Sequence, residues 1–283
     1  MHIIEEIKKI RAIVKQAKIS QKRIGFVPTM GALHEGHLSL FRRCRKENHL
    51  AIISIFVNPL QFGPREDFKK YPRDLQKDIS LAKKENIDII LHPSVKEIYP
   101  TRFLTTVHVD KLTNKLCGAS RPGHFDGATT VVTKLLNIVM PDTIYLGQKD
   151  AQQCVVLQKN ITDLNIPVTV KILPTVRERD GLAMSSRNQY LSFAERKQAP
   201  HLYQSLTMAK NKILTGERRP QAIVQSVQKY IQRYTQGKID YVECVNANDL
   251  ESLGTLKGKV LVALAVWFGK TRLIDNVIVK LPN

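Results

Sequence analysis

The chain lacks any pair of cysteines close together in sequence. Its four, Cys44, Cys117, Cys154 and Cys244, form no C-x-x-C. That excludes a zinc ribbon and a dithiol redox motif and leaves isolated, reduced thiols as the expectation. It also lacks a long hydrophobic run. The longest, Val260–Phe268, has nine residues, far short of a membrane-spanning helix. Aromatic residues make up only 6%, and nowhere do they interleave with basic ones as in a nucleic-acid surface. There is no internal repeat, no low-complexity linker and no G-x-G-x-x-G or G-x-x-x-x-G-K-[ST] loop. The first residues form a charged amphipathic pattern rather than a signal peptide. Asn160-Ile161-Thr162 matches a glycosylation sequon and is read as coincidence, because nothing else points to secretion. Acidic residues are scarce, 25 against 44 basic ones, for a net charge of +19. The excess is spread over both halves of the chain, so it reads as a basic surface, with no nucleic-acid partner expected.

What is present is an ordinary globular composition, 43% apolar and 24% charged over 283 residues, enough for a sizeable core. Ile3, Ile4, Ile7, Ile10 and Val14 recur at helical spacing and predict a first amphipathic helix. Strand patterns at Ile24–Val27, Ala51–Val57, Ile87–Leu91, Thr143–Leu146 and Val168–Leu173 then alternate with helical patterns. The helical ones are Leu38–Asn48, Arg73–Glu85, Ala128–Val139 and Ala151–Leu164. This alternation predicts an α/β fold, a parallel sheet with helices on both faces. Thr105–Val109 is a candidate edge strand. After Tyr190 the texture changes: helices over Phe193–Thr215 and Pro220–Thr235 precede strands Ile239–Val245, Lys259–Phe268 and Arg272–Lys280. The last two flank a hairpin turn at Gly269-Lys270-Thr271. A second, smaller α+β unit with an antiparallel sheet follows, with a boundary between Val176 and Ser192; we divide the chain at 178/179, into 1–178 and 179–283.

Chemistry concentrates where strands end. Residues 28–37 read P-T-M-G-A-L-H-E-G-H, a glycine-bearing turn between a strand and a helix, with His34 and His37 at the helix mouth. Backbone N–H groups in such a turn are expected to meet an anionic nucleotide, with the imidazoles donating to its phosphates. Asn58, Pro59 and Gln61 close the next strand, where an amide can read a hydroxyl or a carboxylate. Asp74 and Asp78, one helical turn apart, read as solvated surface in preference to a metal's outer shell. Residues 118–127, G-A-S-R-P-G-H-F-D-G, read as a mobile glycine loop presenting Arg121 and His124 to anions. G-Q-K-D-A-Q-Q at 147–153 places Lys149 to reach phosphate oxygens, Asp150 to accept from a ribose hydroxyl, and Gln153 one turn further on. Met184-Ser185-Ser186-Arg187-Asn188 offers two hydroxyls and a guanidinium to a polyphosphate at the boundary between the two units.

In that order, these strings resemble the pantothenate synthetase family, the AMP-forming pantoate–β-alanine ligases, along almost the whole chain. F-V-N-P-L-Q-F, Y-P-R-D-L, R-P-G-H-F-D-G, M-S-S-R-N and T-R-L-I-D-N all take part. Departures are minor: Asp74 stands where threonine is expected, Gln148 where Lys or Glu is common, and Ala128-Thr129 where a valine comes first. The resemblance implies a Rossmann-like domain of the H-I-G-H nucleotidyltransferase class and a smaller domain closing over the site. It implies MgATP, pantoate and β-alanine as substrates, a pantoyl-adenylate intermediate, a cytoplasmic homodimer, and no membrane partner. His37, His34 and Lys149 would be catalytic. ATP would meet Met30, Gly31, Ala32, Leu33, His34, Glu35, Gly36 and His37, then Gly147, Gln148, Lys149 and Asp150, then Val176, Met184, Ser185, Ser186 and Arg187. Gln61, Gln153, Asn58, Arg121 and His124 would hold pantoate and β-alanine. No metal ligands are assigned. Three other readings share parts of this pattern: a nucleotidyltransferase acting on a phosphate acceptor, an aminoacyl-tRNA-type enzyme, and a basic nucleic-acid-binding module.

Overall fold

The computed structural model describes residues 1–64 and 66–282. Its first layer is a six-stranded, all-parallel sheet of β1 (His2–Ile4), β2 (Ile24–Thr29), β3 (Leu50–Ile55), β4 (Ile89–Leu91), β5 (Thr143–Gly147) and β6 (Thr169–Leu173), in the order β1-β4-β3-β2-β5-β6. Parallel neighbours need crossover helices, and α1 (Ile7–Ile19), α2 (Glu35–Glu47), α3 (Leu75–Lys84) and the short α4 (Val95–Ile98) supply them on one side of the order. The short α5 (Leu116–Ser120), α6 (His124–Val139) and α7 (Ala151–Asp163) follow. Strands covered on both faces read as apolar runs without alternation, as Ile24–Val27 and Ala51–Ile55 do, every one of those residues being buried. From β2 the chain proceeds outward to β3 and β4, then returns to place β5 on the other flank of β2. The carboxyl ends of β2 and β5 therefore meet at a topological switch point, where open α/β sheets leave a crevice.

The second layer has its own core. The helices α8 (Phe193–Gln198), α9 (His201–Leu214) and α10 (Pro220–Tyr234) precede an antiparallel sheet, β7 (Lys238–Asn246), β8 (Lys259–Phe268) and β9 (Thr271–Lys280). Strand β8 is buried on both faces. Val260, Val262, Leu264, Val266 and Phe268 share a cluster with α9 and α10, through Leu206, Ile213, Ile223 and Val227. The alternate Leu261 and Ala263 pack with Leu116, Ala151 and Val155 of α5 and α7. A period of two thus divides one apolar run between the smaller unit's own core and its contact with the larger one.

Four local expectations need correction. Ile3 and Ile4 are not helical: they pair with Ile90 and Leu91 in β1, because a three-residue segment closes the exposed edge of β4 before α1 begins. Thr105–Val109 forms no strand. Val107 donates its N–H to Thr130 Oγ1 at 2.9 Å, and its carbonyl accepts from the Thr129 hydroxyl, so α6 side chains satisfy the groups a strand would have used. Phe193–Thr215 is two helices broken at Ala199-Pro200, since proline brings no N–H to continue the first. The 118–127 segment is not an open glycine loop: Gly118 lies in α5 and Gly127 in α6, and only Gly123, at φ +78°, needs glycine's left-handed freedom.

Gly127 is required instead for a close approach. A Cβ there would fall 2.2 Å from the Leu60 carbonyl oxygen and 2.7 Å from the Gln61 nitrogen. Gly127→Ala should push α6 off the turn that carries Gln61 and destabilise the fold by about 1–3 kcal/mol despite alanine's better helix propensity. Gly254→Ala, where an added Cβ meets nothing within 4 Å, should stay within about 0.5 kcal/mol. Urea unfolding of both variants checks this; equal stabilities would refute the packing argument.

Candidate active site

The loop between β2 and α2 carries two consecutive left-handed residues, Gly31 at φ +78° and Ala32 at φ +50°. Its shape is held by an acid from a distant helix. Asp78 of α3 is 2% exposed, and its carboxylate accepts from the N–H groups of Ala32 (3.0 Å) and Leu33 (2.8 Å). The expectation that Asp78 lies on the surface is therefore wrong. Asp74 is the exposed one and caps α3 by accepting from Lys77 N–H at 3.0 Å. Several of the loop's N–H groups, expected to meet a nucleotide, have partners within the protein. Gly31 N–H donates to Thr29 Oγ1, Ala32 and Leu33 to Asp78, and Gly36 to His34. Glu35, another expected nucleotide contact, has its carboxylate engaged by Arg42 on α2. Met30 remains half-buried between β2 and the loop.

His34 and His37 cap the helix reciprocally. Gly36 N–H donates to His34 Nδ1 at 3.2 Å, and His34 N–H donates to His37 Nδ1 at 3.3 Å. With Nδ1 accepting in both rings, the imidazole proton resides on Nε2 in both. The rings lie 4.1 Å apart, centroid to centroid. Burial, followed by the charge of Lys149, lowers the His34 pKa to about 4. Burial, then His34 and Lys149, hold His37 well below its ordinary value. Both rings are therefore neutral Nε2–H donors near pH 7.

Across the switch point, β5 ends at Gly147 and a single 3-10 turn, Gln148–Asp150, leads into α7. Lys149 has its Nζ 3.9 Å from the Asp150 carboxylate, a loose pairing. The Gln148 side chain is turned toward β9, donating to Asn276 Oδ1 at 3.1 Å. Gln153, in the first turn of α7, is half-buried and its amide has no hydrogen bond among the described residues.

A second polar cluster surrounds Gln61, and here several expected ligand contacts are already committed. Asn58 is fully buried; its amide donates to Gln61 Oε1 (3.0 Å) and the Gly127 carbonyl (2.9 Å). Its oxygen accepts from Tyr99 Oη (2.8 Å) and Leu60 N–H. Arg121 grips Glu66 with two bonds, 2.7 and 2.6 Å. His124 donates from Nδ1 to the Gln61 carbonyl at 2.7 Å and accepts on Nε2 from Arg121 at 3.0 Å. It holds the opposite tautomer from His34 and His37, and burial, with Arg121's charge, lowers its pKa to about 4. In this structure Asn58, Arg121 and His124 bracket Gln61, each engaged within the cluster. The Gln61 Nε2 is left as the unused donor among the described residues.

The segment after β6 returns to the loop. Met184 N–H donates to the Val176 carbonyl at 3.0 Å, and a Cβ on Gly36 would lie 3.8 Å from Met184 Cβ. Ser185 caps a 3-10 turn by accepting from Arg187 N–H. Arg187 does not stand free: two bonds, 3.1 and 3.0 Å, tie it to Asp67. Lys149, Ser185, Asn188 and Asp275 line one small cavity between the layers. The structure thus gathers His34, His37, Lys149, Met184 and Ser185. Sequence reasoning missed Asp67, Asp78, Glu66, Asp275 and Asn276. Their signal was present in E-D-F (66–68), L-Q-K-D (75–78) and T-R-L-I-D-N (271–276), but a carboxylate's distant partner cannot be read from spacing. Among the described residues no three His, Cys, Asp or Glu side chains converge on a metal position.

The depressed histidines set a pH dependence of stability. Their folded pKa values lie below the unfolded value of about 6.5, so the unfolded chain binds more protons between about pH 4 and 6.5, and stability rises with pH through that window. Urea midpoints should fall steadily from about pH 7 to about pH 4.5, and His124→Gln, which removes one such group, should show a shallower fall. An equally steep fall in that variant would contradict the neutral-imidazole assignment for His124.

Known proteins resemble this chain over nearly its whole length. A family model for pantoate-beta-alanine ligase matches residues 2–278. Pantothenate synthetase of Caldicellulosiruptor saccharolyticus is 53% identical over 99% of this chain and 100% of its own. That of Thermotoga petrophila is 55% identical over 98% and 99%. The crystal structure of pantothenate synthetase from Thermus thermophilus superposes with a TM-score of 0.93 at 41% identity, over 98% of this chain and 99% of the other. Pantoate-beta-alanine ligase from Francisella tularensis, crystallised with beta-gamma ATP and beta-alanine, gives 0.82 at 36% identity over 98% and 97%. With a β2–α2 loop closed by two histidines, a lysine beyond β5, and relatives matching over nearly its full length, the chain belongs to the pantoate–β-alanine ligase family.

Proposed function

We propose that this chain joins pantoate to β-alanine, converting ATP to AMP and pyrophosphate through a pantoyl adenylate. One observation carries the reading: two neutral imidazoles fixed at the N-terminus of α2, with the Lys149 cation close enough to depress both pKa values. In the first half-reaction a pantoate carboxylate oxygen attacks the α-phosphorus of MgATP, and the bond to the pyrophosphate oxygen breaks. In the second, β-alanine loses its ammonium proton, the free amine attacks the acyl carbon, AMP leaves with the bridging oxygen, and the nitrogen gives up a second proton to become the amide. Neither step needs a nucleophilic side chain; both need alignment and charge stabilisation. The Nε2–H groups of His34 and His37 donate to phosphate oxygens, and Lys149 neutralises charge building on the departing pyrophosphate. Ser185 and Ser186 add hydroxyl donors, and Arg187 joins them once polyphosphate competes with Asp67 for it. The open amides of Gln61 and Gln153 orient pantoate. Magnesium enters with ATP as part of the substrate.

The relative crystallised with beta-gamma ATP and beta-alanine supports this substrate set. Four buried, unpaired cysteines suit a cytoplasmic enzyme, and no described helix is long and apolar enough to cross a membrane. We further propose that residues 1–178 form the nucleotide- and pantoate-binding domain, that 179–283 close over it, and that the enzyme works as a homodimer without nucleic acid.

A substrate panel tests the function. AMP and pyrophosphate should appear with ATP, pantoate and β-alanine together, and pantothenate should be the organic product. A dinucleotide product, or activity requiring RNA, would refute the reading. Lys149→Ala should slow pyrophosphate release in a single turnover by roughly 100-fold or more, while conversion of supplied pantoyl adenylate, in which no pyrophosphate departs, suffers much less. Equal losses in both halves would reduce Lys149 to a docking charge.

A further inference from the structure

We infer that Asn276, on β9 of the smaller unit, is a positioning residue for Lys149. Its side-chain amide donates to two consecutive backbone carbonyls, Gln148 O and Lys149 O, each at 3.0 Å. Its Oδ1 accepts from Gln148 Nε2 at 3.1 Å. Three hydrogen bonds from one buried side chain, 4% exposed, thus hold the 3-10 turn that carries the lysine. Asn276 is itself fixed. Its N–H donates at 2.7 Å to Oδ1 of Asp275, and that carboxylate is gripped by Arg177 through bonds of 2.6 and 2.9 Å. Asp275 is 3% exposed, and it lines the small cavity together with Lys149 and Ser185.

The need for such a clamp follows from the lysine's chemistry. A four-carbon stem is flexible, and an ammonium is a point charge without the directional fork of a guanidinium. Among the described residues, Lys149 has only the loose 3.9 Å approach of Asp150 to restrain its head. Its reach is therefore defined from the backbone, and the backbone of that turn is held from the other unit. A shift of about 1 Å in a charge-stabilising group is enough to slow a reaction roughly 100-fold. The smaller unit in this way contributes to the first half-reaction through a residue that touches no substrate.

The inference rests on the role proposed for Lys149, and the test separates the two. Single-turnover pyrophosphate release is compared for Asn276→Ala, Lys149→Ala and the double variant, with thermal unfolding as the folding control. Asn276→Ala should slow release roughly 100-fold, with little change in the KM for ATP and a much smaller loss in the conversion of supplied pantoyl adenylate. The double variant should match Lys149→Ala alone, because a positioning residue has nothing left to position. Gln148→Ala removes one of the three bonds and should give a smaller loss, again absent in a Lys149→Ala background; it serves if Asn276→Ala fails to fold. Multiplicative losses in the double variants, or normal release by an Asn276→Ala protein beside an impaired Lys149→Ala, overturn the inference alone. Unimpaired release by Lys149→Ala removes the lysine's proposed role and this inference with it.

Discussion

The arrangement depends above all on two hydrogen bonds between backbone N–H groups and imidazole Nδ1 atoms at the start of α2. A helix N-terminus leaves N–H groups without partners, and a serine or aspartate cap would satisfy one of them. Here histidines do so, each within reach of the other's segment. The bond fixes the tautomer, the tautomer aims a donor outward, and burial removes the positive charge. A neutral pair tolerates Lys149 nearby, whereas a charged pair would repel it. The same rings could not serve if Asp78 did not hold the preceding left-handed turn, since the direction of entry into α2 is set there.

The polar groups around the site fall into two sets. One set is closed on itself: Asn58 with Tyr99 and Gly127, Arg121 with Glu66, His124 with Gln61 and Arg121, and Arg187 with Asp67. The other keeps open valences among the described residues: Gln61 Nε2, Gln153 and the Nε2 atoms of His34 and His37. Residues of equal chemical promise in the sequence thus have unequal freedom in the fold.

Legibility in the sequence followed range. The parallel strands, the crossover helices and the β8–β9 hairpin were readable because periodicity and turn residues are local signals. The H-x-G-H and Q-K-D strings were readable for the same reason, each following a strand. What escaped depends on partners far away along the chain. Ile3 and Ile4 look helical until β4 offers them an edge, and Val107 looks like a strand residue until α6 takes its backbone groups. Gly127 looks mobile until Leu60 is placed against it. Asp78 and Asn276 carry no local mark of their partners; each is defined by the loop it holds.

The double burial of β8 bears on how the chain is made. Val260–Phe268 is an uncharged, β-branched-rich stretch of the kind that sticks to its own copies when bare. Both surfaces that cover it, α9 with α10 and α5 with α7, lie earlier in the sequence. On a ribosome, which releases the N-terminal part first, those surfaces exist before the hazardous strand emerges. Lys259 and Lys270 flank it as charged guards during the interval. A circular permutation that began the chain at β8 would keep every contact of the folded state and reverse that order, exposing the strand for most of synthesis.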